Sequence, residues 1–504
     1  MSEEKKLPDL ARGVAAADLA EGAMIKGAFG EAEVVVARTK AGVFAVSAAC
    51  THLGAPLDEG LLIGGQLRCP WHHARFDVAT GEAVGAPAFQ PLGCFAVEEV
   101  DGRVRVTGRR APAAKAEAEA AQAPGRVLIV GGGAAGYACA EMLARLGLGA
   151  GVTVVSDDAD APYDRTFCSK QYLSGEAPRG KTALAEEGFW SDAGPRLRLG
   201  ARVAKLDLEA HEAELEGGER LGWDVLVLAT GAEPQRPEAP GFDDPSVHLL
   251  RTLADADALI AAAGHAQRVA IVGASFIGME AAAALTQRGL KVTVVAPESI
   301  PLAATLGDDA GRFLQQMHEK KGVAFRLGRK AVRLDRRALM LDDGASVEAD
   351  LVVVGQGVTP RVDLARAAGL ALDDATGGVR VDDRLRAAPD VFAVGDIAAY
   401  PGPVGEVIRV EHWVHAERQG QHVARVIAGE DARYADLPFF WTNHYGTSVD
   451  YDGHAEEIAG VRLQGDVAQG AFAVTLIADG RDAAFVTVER NLEALRWEAA
   501  HEPA

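Results

Sequence analysis

The sequence predicts a multidomain chain: an all-β N-terminal domain, two α/β domains, and a small α+β C-terminal domain. Three observations predict it. The chain has 504 residues, enough for about three domains that each bury a core. Residues 7–107 read as short strands separated by turns. A strand–glycine turn–helix–strand unit then occurs twice, at 127–155 and at 269–295.

In the first region, Ala32–Ala37 and Gly42–Val46 flank a Thr-Lys-Ala turn, and Val97–Val106 closes on Asp101-Gly102. Residues 108–125 are rich in Ala, Pro and Glu and have no aromatic residue, which reads as a partly helical linker. The period changes at Arg126. Val127–Val130 has the apolar run of a buried parallel strand, an Ala-rich helix follows, and Val152–Val155 is the next strand. From about Tyr434 the chain is strand-like again, with Phe472–Ile477 and Ala483–Glu489 as a hairpin around Asp479-Gly480. The expected divisions are 1–107, the linker 108–125, a discontinuous domain of 126–250 and 366–432, an inserted domain of 251–365, and 433–504.

Lys and Arg number 51 against 72 Asp and Glu, a net charge of −21. That balance argues against a nucleic-acid or anionic-membrane surface. Five cysteines in so long a chain make no disulfide framework. The start, Met1–Lys6, lacks an apolar signal core, and no run is long enough to span a bilayer. A soluble cytoplasmic protein, monomeric or homodimeric, is the expectation.

Cys50-Thr51-His52 is followed by sixteen residues and then Cys69-Pro70-Trp71-His72. Two thiolates suit Fe(III), and two imidazoles suit a second iron and raise its potential. Gly54, Gly60, Gly64, Gly65 and Pro70 supply the turns that would bring the two pairs together. A zinc site would draw on the same residue types, but this spacing, with Cys-Pro-Trp-His, resembles a Rieske [2Fe–2S] domain over residues 7–107. The metal ligands implied are Cys50, His52, Cys69 and His72. High-potential Rieske domains carry two more cysteines; Ala55 and Trp71 stand at those positions here. The resemblance is therefore to the ferredoxin type, near the low end of the roughly −150 to +300 mV range. His73 is expected to be solvated, and Cys94 to be a small core residue.

After Val127–Val130 comes Gly131-x-Gly133-Ala134-Ala135-Gly136. In such a turn the first glycine bends the chain and the second admits a pyrophosphate. The third lets helix and strand pack closely. Asp157 and Asp158 follow the next strand, where a carboxylate accepts ribose hydroxyls. The second turn, Gly273-Ala274-Ser275-Phe276-Ile277-Gly278, has Ser275 in place of the middle glycine and is followed by Met279-Glu280. Residues 296–304 hold no Lys or Arg to meet a 2′-phosphate, so NADH is favoured over NADPH, with Glu298 on the ribose.

Ala229-Thr230-Gly231, Gly357 and Val394-Gly395-Asp396 follow apolar strands, and Tyr163-Asp164-Arg165 and Ser169-Lys170 lie between the two turns. Together these resemble the FAD-dependent ferredoxin-reductase family, whose fold is of the glutathione-reductase type with Rossmann-like domains. The whole order, with Glu411-His412-Trp413 and Pro438–Thr442, is similar to apoptosis-inducing-factor-like oxidoreductases. The resemblance implies FAD in 126–250 and 366–432, NAD(P)H in 251–365, and Lys170 paired with Glu280 beside the flavin as the catalytic pair. It also implies Arg165 and Asp396 on FAD, and Trp413 and Trp441 near the isoalloxazine. Cys168 has no second cysteine at disulfide-reductase spacing, so a dithiol mechanism is not expected.

The function implied is hydride transfer from NADH to FAD, then single electrons to the fused cluster and on to an acceptor such as an oxygenase or P450 component. The alternative is an NADH-sensing signalling protein whose oligomeric state responds to the nucleotide.

Overall fold

The computed structural model describes residues 7–111 and 125–502. Most of the expected linker lies outside them, but its first residues, 108–110, end the strand Arg103–Arg110. The described residues form two compact units. One holds residues 7–111 together with Asn491–Glu502, and the other runs from 125 to 490.

The first unit contains a six-stranded antiparallel sheet and a four-stranded one. The larger runs Val14–Ala15, Arg103–Arg110, Cys94–Val100, Gly42–Ser47, Ala32–Thr39, Met24–Phe29. The smaller is a meander of Leu61–Ile63, Gln66–Arg68, Arg75–Asp77 and Ala83–Gly85. Val46, Leu57, Leu67 and Phe76 form a fully buried core together with Cys50, Cys69 and Cys94. This unit also takes the C-terminal helix, Asn491–His501. The region expected as one domain, 433–504, is therefore divided.

In the second unit, Val127–Val130 is flanked by Val152–Val155 and Val225–Leu228, all parallel, and Val391–Ala393 adds on the far side. The last pairing returns the chain to this sheet after a long excursion. All four residues of Val127–Val130 are buried, as an apolar strand covered on both faces requires. A second parallel sheet is built around Arg268–Val272 and Lys291–Ala296. The remaining large sheet is antiparallel and made of Phe439–His444, Thr447–Gly453, Arg481–Val488, Ala471–Ala478 and Gly460–Asp466.

The two glycine turns are close-packed in the same way. A Cβ on Gly131 would lie 2.1 Å from the Ala229 carbonyl oxygen, and one on Gly136 would lie 1.9 Å from that of Gly131. Gly273 and Gly278 are equally confined, by Gly355 O and Gly273 O. The helix Ala134–Arg145 that leaves the first turn packs against Trp413–Ile427, which is buried along nearly all its length. They approach closely at Gly420, where a Cβ would meet the Ala135 carbonyl oxygen at 2.1 Å. Backbone cannot yield as a side chain can, so Gly420→Ala should cost about 2 kcal/mol and lower the melting temperature of the second unit in a calorimetric scan.

Candidate functional site

In the first unit, Cys50–Ala55 and Cys69–Ala74 are two copies of one turn. Cys50 N donates to Ala55 O at 2.9 Å and Gly54 N to Cys50 O at 2.9 Å. Cys69 N donates to Ala74 O at 2.8 Å and His73 N to Cys69 O at 3.2 Å. Gly54 and His73 occupy matching left-handed positions, φ +78° and +57°. Each turn aims two backbone N–H groups at its sulfur: His52 and Leu53 at Cys50, Trp71 and His72 at Cys69. The two sulfurs hydrogen-bond each other, which pushes the Cys50 thiol up and Cys69 down. His52 Nδ1 and His72 Nδ1 face each other at 3.2 Å. Two adjacent sulfurs and two converging ring nitrogens, with N–H groups placed to stabilise thiolate charge, fit the donor set of a Rieske cluster.

His73 is not solvated as its sequence position suggested. It is fully buried, and its Nδ1 lies 3.0 Å from Glu498 of the C-terminal helix. The same carboxylates, Glu498 and Glu502, pair with Arg68 and Arg75, which flank the second turn. Cys94 is buried, as expected of a core residue.

In the second unit a cavity of about 570 Å³ collects most of the residues singled out above. Gly131, Gly133, Ala134 and Ala135 form one wall. Gly133 is open to it, since a Cβ there would touch nothing nearer than Arg165 Cζ at 3.9 Å. The helix beginning at Ala134 has no side-chain cap, so its first N–H groups remain available to an anion. Arg251 Nε and Arg361 Nε are buried without hydrogen-bond partners, and both residues line the cavity. A pyrophosphate answers both features. Asp157 lines the cavity, whereas Asp158 does not: its carboxylate accepts from Tyr163 Oη at 2.8 Å.

Ala229, Thr230 and Gly231 form another edge, and Gly395 and Asp396 a third. Asp396 pairs with Arg251 at 2.6 Å, and Gly395 N donates to Gln419 Oε1 at 2.7 Å. Trp413 and Trp441 line the same space. His412 stacks on Phe440, ring centroids 3.9 Å apart, and burial pushes its pKa down to about 4.

From the second turn and its helix, Ser275, Phe276, Ile277 and Glu280 reach the cavity, as does Gly357 after the strand Leu351–Val354; Gly273 and Gly278 sit behind it as packing glycines. Ser275 caps its helix, accepting from Gly278 N at 3.4 Å and donating to Gly355 O at 2.7 Å. The two helix N-termini therefore differ, one uncapped and one satisfied by a side chain. Glu298 is exposed and lies outside the cavity.

Lys170 Nζ meets Glu280 Oε2 at 2.9 Å, as the resemblance implied. Ser169 Oγ donates to the same oxygen at 2.5 Å, and Thr442 Oγ1 to the other at 2.7 Å. Thr442 ends the Pro438–Thr442 motif, which by itself assigns it no role. Cys168 does not line the cavity, burial pushes its thiol up to about 12, and all five cysteines are free.

Residues 12–96 match the model of the Rieske [2Fe–2S] domain, and residues 125–420 match that of the pyridine nucleotide-disulphide oxidoreductases. The chain belongs to the pyridine nucleotide-disulphide oxidoreductase family. It carries a Rieske domain ahead of that fold, and its cofactors are accordingly FAD, NAD(P)H and a [2Fe–2S] cluster. Human apoptosis-inducing factor 3 is 31% identical over 474 residues, 90% of this chain and 78% of the relative. The ferredoxin–NAD(+) reductase component of the Burkholderia cepacia anthranilate 1,2-dioxygenase system is 36% identical over 73% of this chain and 92% of its own. Among solved structures, the covalent putidaredoxin reductase–putidaredoxin complex aligns with a TM-score of 0.71 at 27% identity, covering 75% of this chain and 92% of that one.

Two outcomes follow from this geometry. Cys69→Ser should abolish iron binding while leaving the flavin absorbance of the purified protein intact, because every cavity residue lies in the other unit. The second concerns acid. Burial pushes His412 and His422 down to about 4, and His415 and His444 to about 3. In the unfolded chain each protonates near ~6.5. A depressed histidine pKa makes stability complete above the unfolded value and removes it as pH falls toward the folded one. The melting temperature should thus be level above pH ~6.5 and fall steeply from there toward pH ~4.

Proposed function

We propose that this chain is an NADH oxidoreductase that delivers single electrons to its own Rieske cluster and onward to an oxygenase-type or P450-type acceptor. The observation that carries the reading is that one polypeptide holds both a two-thiolate, two-imidazole donor set and a cavity lined by both nucleotide turns. When bound, FAD converts a two-electron hydride into electrons that an iron–sulfur cluster takes one at a time.

The protein supplies position and charge. The uncapped helix at Ala134, with Arg251 and Arg361, would hold the pyrophosphate, and Asp157 the ribose hydroxyls. Asp396 would orient the ribityl chain. Lys170 would place a cation beside the ring, held there by Glu280. Phe276, Phe440 and Trp441 would exclude water from the reacting edge. In the first unit, Cys50 and Cys69 would ligate one iron through sulfur, and His52 and His72 the other through Nδ1.

NADH is favoured over NADPH. No cation stands in 296–304, and Arg329, which follows the neighbouring strand Ala324–Leu327, is already engaged. Arg329 N donates to Ala296 O, but its guanidinium is paired with Asp343 at 2.7 Å. Carrying both centres on one chain raises the effective concentration of the acceptor to that set by the connecting segment.

Anaerobic stopped-flow mixing with NADH tests the reading. Flavin absorbance should bleach first and the cluster bands afterwards, with NADPH slower than NADH. A cluster that stays oxidised beside fully reduced flavin would overturn it. The similarity to apoptosis-inducing factor 3, over 90% of this chain and 78% of that relative, favours one second reading, an NADH-responsive signalling protein. That reading requires the elution volume on gel filtration to shift with NADH, together with slow turnover on ferricyanide.

A further inference from the structure

Hydride transfer needs no base, but the second half of the reaction does not balance without proton movement. NADH and two oxidised one-electron acceptors give NAD⁺, two reduced acceptors and one proton. That proton arrives as part of the hydride, at the buried side of the cavity, and must leave.

A continuous hydrogen-bonded chain starts at Glu280. Its Oε1 contacts Thr442 Oγ1 at 2.7 Å, and Thr442 Oγ1 contacts His444 Nε2 at 3.0 Å. His444 Nδ1 contacts His318 Nε2 at 3.2 Å, and His318 Nδ1 contacts Tyr445 Oη at 3.3 Å. Thr442, His444 and His318 are buried, while Tyr445 is half-exposed. The four residues come from two elements: the strand Phe439–His444 with its turn, and the helix Asp308–Lys320. Neither histidine lines the cavity.

We propose that Thr442, His444, His318 and Tyr445 form a relay that carries this proton, handed from the cavity through Lys170 Nζ to Glu280, out to solvent. It rests on the flavin-reductase reading above. Each member has one proton to give and one lone pair to receive with. Burial keeps both imidazoles neutral, His444 at about 3 and His318 at about 2, and Lys170 near His444 adds to the effect there. With Glu280 ionised, every O–H and N–H points inward: Tyr445 to His318, His318 to His444, His444 to Thr442, Thr442 to Glu280. With Glu280 protonated, the same contacts hold with every bond reversed. Passing from the second state to the first translocates one proton outward, leaves both imidazoles neutral, and leaves the Glu280 carboxylate paired with Lys170. At the outer end, Tyr445 also hydrogen-bonds Thr286, and Lys321 lies 5.4 Å from its ring centroid.

The test uses the holoprotein, reduced anaerobically by NADH and then mixed with ferricyanide in weak buffer with a pH indicator. Proton release and flavin reoxidation should slow roughly tenfold in His318→Ala, and recover when imidazole is added. Tyr445→Phe, a milder change at the half-exposed end, should slow both in the same direction and change the solvent isotope effect. Reduction by NADH should be unaltered in both variants. Wild-type reoxidation and proton release in both would overturn the relay and send the proton out through the cofactor cavity. A separate readout needs no turnover: in ¹⁵N-histidine-labelled protein, His318 and His444 should show scalar coupling across their N–H···N bond, and its absence overturns the relay. Failure of NADH to reduce the flavin at all would sink the functional reading instead, with that coupling intact.

Discussion

The second unit is organised around one buried carboxylate. Glu280 sits on the helix Phe276–Gln287, which leaves the second nucleotide turn, and accepts from groups on two other segments. Ser169 ends the short helix Thr166–Ser169 and Lys170 follows it, and Thr442 comes from an antiparallel strand far along the chain. Alone in that environment the charge would be prohibitive. Stripping one partner from such a pair costs about 3–5 kcal/mol, because the other is left buried and uncompensated. The constraint runs both ways: Lys170 stays beside the cavity because Glu280 is there, and the strand 439–444 is drawn in because Thr442 completes the carboxylate's shell. The aromatic residues that close the cavity, Phe440 and Trp441, are carried on that same strand.

The parts legible in the sequence are those whose physics is local. A glycine turn announces itself because close approach of backbone to backbone leaves only hydrogen at Cα, and Gly131, Gly136, Gly273 and Gly278 meet carbonyls at contacts no side chain survives. The cluster turns are local too, since each is closed by its own hydrogen bonds within six residues. Lys170 with Glu280 was reached only through a family resemblance, being 110 residues apart.

What escaped the sequence depends on partners brought together by tertiary structure. His73 looked like an exposed neighbour of a ligand, yet Glu498, 425 positions away, covers it. Asp157 and Asp158 are indistinguishable as letters; Tyr163 claims the second and leaves the first facing the cavity. The His318–His444 contact spans 126 residues, and two lone histidines carry no motif. Ser275 looked like a defect in a glycine pattern, whereas it caps the helix in the place of a ligand.

The central claim is that a single polypeptide takes electron pairs from NADH and stores them at two chemically different centres. An equilibrium titration under argon measures this most directly, by counting the electrons each chain accepts from NADH with an oxidation-trapping system removing NAD⁺. The account predicts an uptake of three, two on the flavin and one on the iron pair, with the last accompanied by a Rieske-type paramagnetic signal. An uptake of two in iron-replete protein, with the cluster silent at every potential NADH can reach, would contradict it.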